Sequence, residues 1–150
     1  MRSPKRGIIG VSIAWLLLAT ISLTLAFTVA EGEARDHATY HLFLGFVAMA
    51  LFFTIGLLWT PSRDGLPSMG RAAVLIVTGM AAFGQVLESI GASGYDRFNA
   101  GHEIEALTTL HNGVGILGPI ALFAVPIGLI AVVVLVLGRL IRLATSSRAR

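Results

Sequence analysis

The side chains best equipped for chemistry are histidines. Two of the four share a local pattern. One stretch reads Thr39-Tyr40-His41-Leu42-Phe43-Leu44-Gly45, and another reads Thr109-Leu110-His111-Asn112-Gly113-Val114-Gly115. Both are Thr-x-His-x-x-x-Gly, 70 residues apart. Neutral imidazole is a metal ligand, and haem iron accepts an axial ligand on each face. Two histidines at equal depth on different helices therefore suit the two faces of one haem b. Gly45 and Gly115 fall one turn beyond their histidines on the same helical face and leave room for a flat ring. Arg35 and Arg97, outside the apolar stretches, suit the propionates. A second chemistry uses the same region. His37 and His41 are spaced i, i+4, and with Glu88 and His111 they form a nitrogen–oxygen ligand set for zinc or iron. Glu88 is the one acid inside an apolar stretch, where an unpartnered carboxylate is costly. Gln85 lies three residues before it, and an acid there can orient a ligand histidine from behind.

Plainer roles compete with these. His37 reads as a solvated residue in the first helical turn behind an Asp36 cap. His102 reads as a solvated loop residue. His41 and His111 can also act as packing residues that hydrogen-bond across helices. No cysteine is present, which excludes disulfides, thiolate metal sites and thiol nucleophiles. No nucleophile–base pair stands out as catalytic, and no phosphate-binding Gly-Lys motif is found.

The elements that must position these residues are long and apolar. Of 150 residues, 55% are apolar and 13% charged, and the mean hydropathy is +0.83. Soluble domains average about 25% charged residues. Four continuous apolar stretches cover residues 7–30, 38–60, 72–92 and 107–138. A helix of about 20 apolar residues crosses a hydrocarbon core of about 30 Å. The expected fold is therefore an all-α antiparallel four-helix transmembrane bundle forming a single domain over residues 1–150. The first stretch exceeds the 7–15 residues of a signal-peptide core and reads as a retained anchor. The last helical run, residues 104–143, would reach about 60 Å at about 1.5 Å per residue. Pro119 and Pro126 each remove a backbone donor, which predicts kinks near Gly115 and Leu122. Ser and Thr of the first span (Thr20, Ser22, Thr24) are expected to bond their own helix backbone.

Charge divides by side. Arg2, Lys5, Arg6, Arg63, Arg71, Arg139, Arg142, Arg148 and Arg150 fall at one end of this arrangement, and only Arg35 and Arg97 fall at the other. Glu31, Glu33, Asp36, Asp96, Glu103 and Glu105 lie with the latter pair, and Asp64 with the former. The positive-inside rule puts the basic end and both termini in the cytoplasm. The net charge of +3 is then a skirt against anionic lipid, and no nucleic-acid partner is required. Tyr40 and Trp59 suit the interfacial belt. The expected location is a bacterial cell membrane, crossed several times.

A four-helix membrane bundle with His-x-x-x-Gly on two helices resembles the small membrane cytochromes b and one half-bundle of haem A synthase. The resemblance implies one bis-histidine haem b on His41 and His111, with electron transfer near the outer face to a quinone or a membrane redox complex. The chain departs from two-haem cytochromes in having no histidine pair near the cytoplasmic face, and it lacks the polar loop motifs of haem A synthase. Two other expectations stand beside this one. The chain can be a non-enzymatic membrane subunit or structural protein, with a homo-oligomer among its possible assemblies. Alternatively, it carries an outward-facing His/Glu metal site.

Overall fold

The structure, a computed structural model, describes residues 4–58, 69–95, 97 and 103–147. The expected turn around Pro61 and Pro67, and the placements of Trp59, Arg63, Asp64, Asp96 and His102, lie outside the described residues, as do Arg2, the side chain of Lys5, Arg148 and Arg150. The elements are α1 (Pro4–Thr28), α2 (Gly32–Leu58), α3 (Met69–Ala92), α4 (Glu105–Val114), a 3-10 turn (Gly115–Leu117) and α5 (Gly118–Ser147). There is no strand among the described residues. Among the described residues, four helical runs are long and apolar enough to cross a membrane, counting residues 105–146 as one.

The helices run up and down. Trp15 meets Phe46 and Ser12 meets Met49, so α1 and α2 are antiparallel neighbours. Ala38 pairs with Ser89, and His41 with Gln85, which sets α3 antiparallel to α2. Trp15 reaches Ala82 while Ser22 reaches Ser89, so α1 and α3 run parallel. α2 and α3 form the central pair, and both α1 and α5 pack on the two of them. Arg6, Arg71, Arg139 and Arg142 consequently share one end of the bundle. Glu31, Glu33, Arg35, Asp36, Arg97, Glu103 and Glu105 share the other.

The packing is inverted relative to a soluble bundle. On α1 the buried positions are Trp15, Ala19, Ser22 and Ala26, a four–three spacing that keeps one seam facing the partners. On α3 the buried face carries Thr78, Ala81, Ala82, Gln85, Glu88 and Ser89. Large apolar side chains point outward instead, among them Leu17, Phe27, Phe43, Ile76, Phe123 and Ile130. Small residues let the backbones approach, and the buried Ser22, Gln85 and Ser89 bond across helices, whereas Thr78 bonds carbonyls of its own helix. Trp15 Nε1 donates to Ala82 O at 2.7 Å, so the indole packs inside the bundle. Ser89 Oγ donates to Ala38 O at 2.5 Å. Its only proton is then used, so Ser22 Oγ donates to Ser89 Oγ at 2.6 Å, tying α1 to α3 and α2. Thr20 and Thr24 bond their own helix as expected, at 2.9 Å each, but Ser22 does not.

Two boundaries differ from expectation. α2 begins at Gly32, not near residue 38, because the charged stretch Glu33–Asp36 is competent to form helix, whereas hydropathy marks only where lipid-compatible residues start. Gly32 adopts φ +49, the left-handed conformation that turns the chain between α1 and α2. Asp36 is therefore inside a helix rather than capping one. The second difference concerns the long last run. It breaks at Gly115, as Pro119 predicts, but α5 continues unbroken past Leu122 and Pro126. Pro119 cannot donate to Gly115 O, and the Gly118 N–H takes its place with a bond one residue shorter, which is the 3-10 turn.

Candidate metal centre

The site lies at the acidic end of the bundle, between the start of α2, the end of α3 and α4. α2 supplies His37 and His41 from successive turns. α3 supplies Gln85 and Glu88 from the face turned toward both α2 and α4. α4 supplies His111. His41 Nδ1 lies 2.8 Å from Gln85 Oε1. That oxygen only accepts, so Nδ1 carries the proton and Nε2 presents its lone pair. His41 Nε2 is 3.2 Å from His37 Nε2, which therefore donates to it. Glu88 is nearly buried, at 5% exposure, and its Oε1 lies 3.2 Å from His111 Nδ1. Glu88 Oε2 is buried with no hydrogen-bond partner among the described residues. The His37 ring neighbours both other histidines, with centroids 4.6 Å from His41 and 5.6 Å from His111. Ligand atoms of His37, His41 and Glu88 all lie within 4.8 Å of one another.

His37, His41, Glu88 and His111 are thus brought together. The two motif histidines are not level, however. His41 faces Gln85, whereas the His111 backbone lies beside Gly91, six residues further toward the outer end of α3. His111 is level with the turn of α2 that carries His37, so the 70-residue repeat is not echoed in depth. His37 is partly buried within the cluster rather than solvated in a first turn.

The remaining residues expected at the site are placed elsewhere. A Cβ at Gly45 would meet Trp15 Cζ2 at 3.2 Å and Gln85 Cβ at 3.5 Å, so the room beside this glycine is taken by those side chains. A Cβ at Gly115 would meet only Glu88 Oε1, at 3.9 Å. Arg35 donates to Ala30 O from Nε at 3.2 Å and Nη2 at 3.0 Å, and its guanidinium stands 6.0 Å over Phe27, so it closes the α1–α2 turn. Arg97 is exposed in the segment between α3 and α4. Gln85 orients His41, while Glu88 contacts His111. One neighbour lacked any signal in the sequence. Tyr95, just past α3, lies over the His111 ring with centroids 4.2 Å apart and planes tilted by 34°. Its position depends on how the chain leaves α3, which no spacing rule encodes. Compared with known protein families, with curated proteins and with solved structures, the chain matches none.

Proposed function

We propose that the chain is a multi-pass protein of the cell membrane, with the arginine-bearing end and both termini in the cytoplasm, that holds a first-row divalent metal ion near the outer face. Its ligands are His37, His41, Glu88 and His111. The observation that carries this reading is the convergence of His37, His41 and Glu88 donor atoms within 4.8 Å, with a nearly buried carboxylate among them. Burying such a group is costly without a compensating charge. Insertion is supported by the inverted packing, since large apolar side chains facing outward need lipid. Orientation rests on the charge division.

The donor set selects the ion class. Imidazole and carboxylate suit zinc and ferrous iron, and no thiolate is present to favour softer ions. Zinc–nitrogen bonds of about 2.0–2.1 Å put neighbouring ligand atoms of a tetrahedron about 3.3 Å apart. The His37–His41 nitrogen pair, at 3.2 Å, already has that separation. The ion replaces the proton that His37 Nε2 shares with His41, while the Gln85 bond keeps the His41 lone pair aimed inward.

A haem b on His41 and His111, serving electron transfer to a quinone or membrane redox complex, is the second reading. It draws on the two motif histidines entering one cluster from different helices, and it requires α2, α3 and α4 to part by the thickness of a macrocycle. One preparation separates the two. Detergent-purified protein is analysed for metals and its spectrum recorded oxidised and dithionite-reduced. About one zinc or iron per chain without a Soret band, lost in His41→Ala and Glu88→Gln, supports the metal site. A Soret band with sharp reduced bands, abolished by His41→Ala or His111→Ala, replaces it with haem. Neither metal nor Soret band returns the histidines to a packing role.

A further inference from the structure

We infer that Gly91 is the positioning residue for His111: its missing side chain lets α4 lie close enough to α3 for His111 to complete the metal set. The inference rests on the metal reading above. α4 has no buried residue of its own, so its position is set by what it rests on. It rests on glycines of α3 and the residues just beyond. A Cβ at Gly91 would stand 2.6 Å from His111 N, 2.8 Å from its Cα and 2.9 Å from its Cβ. A Cβ at Gly94 would stand 2.9 Å from Leu107 Cβ, and, at the 3-10 turn that follows α4, one at Gly84 would stand 2.9 Å from Leu117 Cβ. The outer end of α4 is tied separately, by Ile104 N and Thr108 Oγ1 donating to Gly94 O at 3.1 and 3.2 Å.

Gly91 differs from the other two because the atoms it would strike first are backbone atoms of the ligand residue itself. No side-chain rotation relieves that contact, so α4 must retreat. Ordinary carbon contacts lie at about 3.5–4.0 Å, which makes the retreat about 1 Å. Metal–ligand distances tolerate about 0.2 Å. A displaced α4 therefore withdraws His111 from the ion while His37, His41 and Glu88, held by α2 and α3, stay in place.

The test titrates the detergent-purified full chain with cobalt(II), whose visible spectrum reports coordination number. Wild type is expected to give the intense bands of a four-coordinate ion. Gly91→Ala is expected to bind cobalt about 10-fold or more weakly and to show the weaker spectrum of His111→Ala. The double variant is expected to be no worse than His111→Ala alone. Gly113→Ala, where a Cβ meets nothing within 4 Å, is expected to match wild type in both readouts. A wild-type spectrum and affinity in Gly91→Ala overturn the inference even if its unfolding temperature falls. Should Gly91→Ala not be recovered folded, Gly94→Ala carries the test, with a smaller change of the same kind expected and an unchanged spectrum overturning it. Cobalt binding by wild type that His111→Ala leaves unaltered rejects the role of His111 and of Gly91, but spares the metal site. No cobalt binding by wild type rejects the metal site and the inference together.

Discussion

Gln85 illustrates how one side chain sets the chemistry of its neighbour. Its carbonyl oxygen holds the His41 ring by Nδ1 and leaves Nε2 directed at His37. Gln85→Leu keeps the bulk and removes the acceptor. Zinc affinity, read by competition with a chromogenic chelator, is expected to fall about 10- to 100-fold, the usual cost of removing such support. An unchanged affinity would mean that the ring is oriented by packing alone. Trp15 makes a different kind of contact, a bond from a fully buried indole to the Ala82 carbonyl of α3. Trp15→Phe retains most of the ring and should destabilise the bundle by about 1 kcal/mol in detergent unfolding, with metal affinity unaffected. That pairing of results separates the bundle's structural hydrogen bonds from those of the site. His37 shows the limit of reading residues singly: the i, i+4 spacing made it a candidate ligand, but only the placement of α4 gave it His111 as a neighbour.

Among the elements, the last helical run decides most about the site. Pro119 ends α4 by depriving Gly115 O of its donor, and the 3-10 turn follows. Three residues at about 3.0 per turn instead of about 3.6 rotate the two halves by about 60° relative to a continuous α-helix. The direction in which His111 points is therefore built by a proline eight residues away. Pro119→Ala restores the donor, and α4 should re-register as a continuation of α5. Zinc affinity should drop about as far as in His111→Ala, with helical content by circular dichroism maintained or slightly raised. Retention of wild-type affinity would show that the α3 contacts, not the turn, set the angle of α4.

For the molecule as a whole, the question is which end faces which side. The chain has no cysteine, so single introduced thiols report topology without background. Glu33→Cys and Arg142→Cys stand at exposed positions at opposite ends of the bundle. In intact cells a membrane-impermeant maleimide should label the first and not the second, with both labelled after lysis. The reverse pattern would invert the molecule and place the histidine cluster on the cytoplasmic side. The arginine-bearing end suits contact with anionic headgroups, while the site end carries most of the acids and so suits attraction of a cation.

Composition and backbone chemistry suffice for the four apolar helical runs, the division of charge between the ends and the break before Pro119. Each of these depends on composition over about 20 residues or on a backbone donor that proline lacks, and neither needs a partner. Glu88 is conspicuous on the same grounds, because a lone acid in an apolar run stands out wherever the run packs. Which side chains meet depends instead on how the helices pack in three dimensions. Helix rotation and register follow from how small residues interdigitate, and a shift of one turn changes every cross-helix pair. Gly45 thus received Trp15 and Gln85, Ser22 left its own helix for Ser89, and Arg35 closed a turn. His111 came level with His37 because Gly91 let α4 settle against α3 there, a contact between backbones that no pattern along the chain records.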